Sequence, residues 1–410
     1  MNAILKQDLE GPNAIMKHIH ALAFNRAAGS TGETKAILYI HNELSKEGFE
    51  PKIQYFTYIG IRRILMRIAY LIIFTYLLLF KLIIVIAIYF SVKYLFKRAR
   101  NISFVKKETS KNLVLEIPMK KNIKKGQVTI ITAHYDTFSA IIPYKIQSVL
   151  FFIFRIIIIP YFMITISLSI WILHDVYFNP SLNPDVTNLV ITTTLIEFVI
   201  IFIIFLMIYN TDKSKGSIDN ASGVAILIEL SKKLYFNPLN NTDVIIVFTS
   251  SEEWGLIGAK KFCKQYKNYF LEKYDLDNSF NINLDMIGTY IGLIEKKKLI
   301  GKDKYSNNLN EKIEKIAKKL NVKLTKHTSI LNPKTDHKIF RSFARKTRSK
   351  FQVACFHSKK DSKYIHSLRD TPEKCNPENL HSVLNICEKV IREIDSDIFR
   401  VKRNQIISVA

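Results

Sequence analysis

Seven side chains able to ligate a metal or carry a proton stand where apolar runs of the sequence break off: His134, Asp136, Asp219, Glu252, Glu253, Asp285 and His366. In "ITAHYDT", residues 131–137, a β-branched run ends on an imidazole and a carboxylate two residues apart. One such pair alone reads as an ordinary polar loop. Two histidines and five acids in comparable positions make a nitrogen and oxygen donor set suited to a hard or borderline divalent cation. Without a cation, converging carboxylates repel one another and their pKa values move far from the usual range.

The flanking patterns predict what holds these groups. "QVTIITA" (127–133), "DVIIVFT" (243–249), "NINL" (281–284) and "FQVACF" (351–356) are short, β-branched or aromatic runs, which read as buried strands. "GSIDNASGVAILIEL" puts Asp219 and Asn220 in a turn, with Val224, Leu227, Ile228 and Leu230 on the apolar face of the helix that follows. A second helix opens near Trp254, after the Glu252–Glu253 pair. Strands alternating with helices predict an α/β fold, a mixed and mainly parallel sheet flanked by helices. Ligands of such sheets sit outside the carboxyl ends of the strands, where His134, Glu252, Glu253 and Asp285 fall.

Three apolar stretches interrupt this pattern. Residues 64–96, 146–173 and 188–209 are each long and apolar enough to cross a bilayer, which takes about 20 residues of helix. They predict inserted transmembrane helices in a chain cut as 1–60, 61–100, 101–140, 141–210 and 211–410, with the first, third and fifth pieces forming one catalytic domain. The loop "HDVYFNPSLNPDV" carries no Lys or Arg, whereas Lys145, Lys213 and Lys215 flank the hairpin that contains it. The positive-inside rule then puts the loop outside and the catalytic pieces in the cytoplasm. The first stretch is basic at both ends, with Lys81 in its middle. It reads as a tight hairpin or as one long tilted helix, giving three or four passes in all.

A net charge of +25, from 60 Lys and Arg against 35 Asp and Glu, often signals nucleic acid or an anionic membrane. Here the basic residues are dispersed and flank apolar runs, which selects the bilayer and excludes nucleic acid as partner. Four cysteines without C-x-x-C spacing exclude a disulfide framework and suit a reducing compartment. The N-terminal residues lack the apolar core of a signal peptide.

"AHYDT", "GSIDNASGVA", "SSEEWGLIGAKKF", "NLDMIG", "TDHKIF" and "YIHSLRDT", taken in order, resemble the dizinc aminopeptidases of peptidase clan MH. That group includes bacterial leucine aminopeptidases, glutamate carboxypeptidase and a membrane-spanning endoplasmic-reticulum metallopeptidase. The resemblance covers residues 105–140 and 211–395, with a weaker match at "AILYIHNELSKEGFEPKIQYF". It implies a phosphorylase/hydrolase-like fold and two zinc ions per chain acting on a peptide substrate. One zinc would take His134 and Asp285 and the other Glu253 and His366, with Asp219 bridging. Glu252 would be the general base and acid, Asp136 would orient His134, and Asp336 and His337 would support the site. The chain departs from the family in the 85 positions separating His134 from Asp219, a connection that is short in soluble relatives. Three other readings remain open: a glutaminyl-cyclase-like acyl transferase, an inactive membrane scaffold of the same fold, and a transporter.

Overall fold

The computed structural model describes residues 11–58, 108–150 apart from 122, 124 and 145, 211–295, 305, 307–328 and 333–407, with scattered positions between 91 and 209. The chain divides into two compact units. One comprises Met1–Phe56, Thr109–Ser139 and Thr211–Ala410; the other comprises Thr57–Glu108 and Ala140–Asn210.

The first unit is built on an eight-stranded sheet. In chain order its described elements are helix α1 (Pro12–Ala21), α2 (Thr31–Ser45), strands β1 (Lys52–Tyr58), β2 (Glu108–Ile117) and β3 (Gln127–His134), α3 (Ser222–Phe236), β4 (Thr242–Thr249), α4 (Ile257–Lys273), β5 (Phe280–Leu284), β6 (Ile291–Glu295), α5 (Asn307–Lys319), β7 (Leu324–Thr328), α6 (His337–Lys346), β8 (Gln352–Phe356) and α7 (Pro377–Ile407). The spatial order is β1-β2-β4-β3-β5-β8-β6-β7. The middle four strands, β4-β3-β5-β8, are mutually parallel. Beyond them β2 runs antiparallel to β4, and β6 antiparallel to β8. The sheet is thus mixed and mainly parallel, as expected, with the parallel quartet at its core. The strands that the sequence pattern did not mark, β2, β6 and β7, lie outside the parallel quartet.

Both faces of the sheet are covered, which is why the central strands read as unbroken apolar runs. On one face Val128, Ile130, Ile245, Val247 and Val353 pack with Phe262 and Phe270 of α4 and Phe340 of α6. The other is closed by α3, which packs on β3 and also against α1 and α7. Nearly every residue of α3 through Ser231 is buried, so it is an interior helix rather than a surface one. Helix α4 opens at Ile257 and not at Trp254, because residues 250–256 form the turn that carries the two glutamates.

In the second unit, no helix among the described residues is long and apolar enough to cross a membrane. Most of the three stretches expected to do so lies outside the described residues. Where helical positions between 146 and 206 are described, large apolar side chains are exposed, among them Phe152, Ile156, Met163, Trp171, Leu195 and Phe202.

Candidate metal centre

Parallel strands in register bring their carboxyl ends to one edge. His134 closes β3 directly opposite Thr249, the last residue of β4, and Leu284 of β5 lies opposite Phe356 of β8. The next few residues of each strand therefore converge: His134 and Asp136 after β3, Glu252 and Glu253 after β4, Asp285 after β5, and His357 after β8. Asp219 arrives from the turn Ser217–Ala221, immediately before α3, in which the Asp219–Asn220 peptide is cis. Asn220 anchors that turn to the strand edge, donating to the Leu284 carbonyl at 2.8 Å and accepting from the amides of Gly223 and Met286. Ser251, Met286 and His366 adopt left-handed φ values of 56°, 64° and 56°. For residues other than glycine such backbone is costly, and it concentrates where function demands a particular side-chain direction.

Asp219 lies at the middle of the cluster. Its Oδ1 is 3.1 Å from His134 Nε2, and its Oδ2 is 3.3 Å from His366 Nε2. His134 Nε2 also faces Asp285 Oδ2 at 4.0 Å, and His366 Nε2 faces Glu253 Oε1 at 2.9 Å. Two trios result, His134–Asp219–Asp285 and Asp219–Glu253–His366, in each of which the ligand atoms lie within 4.8 Å of one another. All five side chains come together, and the single carboxylate of Asp219 belongs to both groups.

Asp136 occupies a different place, behind the cluster and fully buried. Its carboxylate accepts from the Glu252 amide at 3.1 Å and the Glu253 amide at 3.2 Å, while Oδ1 lies 3.6 Å from His134 Nδ1. One side chain thus fixes the β3 and β4 ends together. Asp336 is buried and accepts from Thr249 Oγ1 at 2.6 Å; His337 begins α6 and is hydrogen-bonded to Thr335. Both therefore abut the strand ends without joining either trio.

The electrostatics are those of acids and imidazoles crowded out of water. Burial pushes Glu252 well above the usual carboxyl range, with Glu253, Asp285 and Asp336 adding repulsion against the pull of His134. Burial likewise raises Glu253. Asp336 is pushed up to about 7 by burial. For Asp219 burial acts upward, but hydrogen bonds from His134 and His366 outweigh it and hold the carboxyl below its ordinary value. For His366 burial acts downward, and the Glu253 and Asp219 carboxylates outweigh it, raising the imidazole to about 10. Protons on the histidines offset acids that a divalent cation would otherwise neutralise, and such a metal binds by displacing protons from its ligands. Two imidazoles and three carboxylates, buried and convergent, fit zinc in ligand type.

Three neighbours escaped the sequence reading. Asp370 is buried and accepts from the amides of Ile218 at 2.6 Å and Asp219 at 3.3 Å; burial, followed by the Asp219 charge, raises it to about 7. It lies in the quoted "SLRDT" run, so its motif was in view though its contact was not. His357 directs Nδ1 to the Asp285 carbonyl at 3.1 Å, and its place after a strand matches that of His134. Arg26 carried no signal, since an arginine between two apolar helices reads as a surface residue.

Residues 206–391 match the model of peptidase family M28. The matched segment carries Asp219, Glu252, Glu253, Asp285 and His366; Asp219, Glu253, Asp285 and His366 form, with His134, the two groups whose ligand atoms could hold a metal ion. A curated relative, a probable zinc metalloprotease of Pyrenophora tritici-repentis (strain Pt-1C-BFP), is 37% identical over 73 residues, 18% of this chain and 15% of that protein's length. Among solved structures, the aminopeptidase of Aneurinibacillus sp. strain AM-1 aligns with a TM-score of 0.56 at 14% identity, over 93% of each chain. The zinc aminopeptidase BSAP of Bacillus subtilis gives 0.54 at 14% identity, over 94% of this chain and 95% of that one. An Acidobacteriales bacterium glutaminyl cyclase gives 0.54 at 15% identity, over 94% of each. Those likenesses concern the fold.

Proposed function

We propose that the protein is a membrane-anchored aminopeptidase that uses two zinc ions to hydrolyse N-terminal peptide bonds. The observation that carries the reading is the division of Asp219 between its two imidazole partners, Oδ1 towards His134 and Oδ2 towards His366. His134 and Asp285 would hold one ion, Glu253 and His366 the other, with Asp219 shared. The chemistry that bound zinc supplies is an acidified water, whose pKa falls from 15.7 towards about 7, and a polarised carbonyl. Glu252 does the proton work. Its carboxyl is buried beside His134 and Asp285, at high proton affinity. As carboxylate it takes a proton from the attacking water, and as acid it returns that proton to the leaving amine. Asp136 holds the backbone amides of both glutamates, so the base and its neighbouring ligand keep their separate directions. Arg26 and Asp370 restrain the turn that carries Asp219.

Zinc analysis of the detergent-purified chain, alongside a panel of aminoacyl-fluorophores and N-terminal glutaminyl peptides, tests this reading. The expected result is two zinc ions per chain and release of fluorophore from free N-termini. Cyclisation of the glutaminyl peptides without hydrolysis would transfer the assignment to acyl transfer, the chemistry of the cyclases that share this fold. A metal-free, inert chain would leave the scaffold reading.

The membrane anchor rests on the apolar stretches 64–96, 146–173 and 188–209 and on the exposed apolar side chains of the second unit. Because His134 and Asp219 meet, the insertion between them must cross a bilayer an even number of times. Its basic flanks assign the catalytic unit to the cytoplasm. In intact cells, Ser181→Cys is expected to react with an impermeant maleimide, and Lys315→Cys, exposed on α5, to be protected. The reverse pattern would put the catalytic unit outside.

A further inference from the structure

His134 and Asp219 belong to one cluster although Ala140–Asn210, part of the second unit, intervenes between them in sequence. Something in the first unit must set their spacing. The Arg26 guanidinium is fully buried and contacts both connections. Its Nε donates to the carbonyl of Tyr135, the residue between His134 and Asp136, at 2.8 Å. Its Nη2 donates to the Gly216 carbonyl at 2.8 Å and its Nη1 to the Lys215 carbonyl at 2.9 Å, just ahead of the Asp219 turn. Further donation goes to the carbonyls of Phe24 and Leu22 in its own loop. The backbone joins in: the Arg26 amide donates to Thr137 Oγ1 at 2.8 Å, and the Thr137 amide donates to the Arg26 carbonyl at 3.3 Å.

A charge so deep is costly unless it is hydrogen-bonded and balanced. Burial lowers the guanidinium to about 10, and the charges of Asp370, Asp136 and Asp219 work against that loss. Gly216 completes the fit. A Cβ there would lie 2.9 Å from Arg26 Nη2 and 2.1 Å from Thr137 Cγ2, so a larger residue would push the fork away from its carbonyl. A planar fork with five N–H donors can bind carbonyls from three segments at once, which a lysine ammonium on a flexible stem cannot.

We infer that Arg26 is a positioning residue that sets the separation of His134 from Asp219 and so tunes how tightly the shared metal site closes. The inference rests on the zinc reading above. Its test is zinc affinity by chelator competition on the full chain in detergent, for Arg26→Lys and Thr137→Val, with far-UV circular dichroism of each metal-free form. Arg26→Lys keeps the charge and loses the fork. The expected loss of zinc affinity is about 10–100-fold, the size seen when groups orienting metal ligands are removed, without change in the metal-free spectrum. Thr137→Val should lose affinity in the same direction by a smaller factor, and it decides the matter should Arg26→Lys fail to fold. Wild-type affinity in folded variants would make Arg26 a structural peg and overturn the inference. A wild-type chain that binds no zinc would instead remove the metal reading itself.

Discussion

Glu252→Gln is expected to retain both zinc ions and to lose hydrolysis by about 10²–10⁴-fold, the range attributable to a positioned acid–base group. In free energy that is about 3–5 kcal/mol of barrier. The amide fills the same space, so Asp136 should still hold the amides of residues 252 and 253. It cannot accept the water's proton, however, nor deliver one to the amine. Removing a buried carboxyl whose ionisation is disfavoured by burial and by the charges of Glu253, Asp285 and Asp336 should also leave the fold no less stable. Turnover near that of the wild type, measured on the best aminoacyl-fluorophore with zinc content verified in the same sample, would end the general-base assignment.

Asp219→Ala should cost both metal and activity. The two carboxylate oxygens address different imidazoles, so one substitution removes a donor from both trios. It would also remove the negative charge that, in the proposed two-zinc site, two mutually repelling cations would share. The loss of zinc affinity should exceed the about 10–100-fold that follows loss of an outer partner. The ratio expected by metal analysis is one ion per chain or fewer. His134 and His366 would keep Asp285 and Glu253 as partners, so the protein should remain folded with its histidines still paired to acids. A chain that still holds two ions after this change would mean that Asp219 does not bridge.

The two substitutions separate what the cluster holds from what it does. Glu252 belongs to neither trio, and Asp219 belongs to both. Loss of activity with metal retained in one, and loss of both in the other, is a pattern that general misfolding would not produce.

Strand ends and the turn before α3 were legible in sequence because their signals are local. β3, β4, β5 and β8 are covered on both faces, so each reads as a short apolar run with a polar break. The groups meant to meet lie at those breaks. The strands at the far end of the sheet, β6 and β7, were harder to read. β7, "LTKHT", is polar and follows a lysine-rich helix, while β6 is a run of only five residues beside a masking stretch of lysines. Nothing in such runs distinguishes a strand from a loop, because much of a strand's stabilisation comes from the strands beside it.

The sequence by itself determined the donor types, their places at the ends of strands, and the apolar stretches that interrupt the catalytic pieces. Those follow from composition and periodicity within windows of some ten to twenty residues. Only the tertiary structure decided that one carboxylate, Asp219, faces two histidines from different parts of the chain. It alone showed Asp136 reaching across to the amides of the next strand's end, and Arg26 carrying its charge into the interior to bind carbonyls on both sides of an insertion. The physical reason is that hydrogen bonds and charge balance depend on distances of about 3 Å, and between residues far apart in sequence those distances exist only once the sheet has formed.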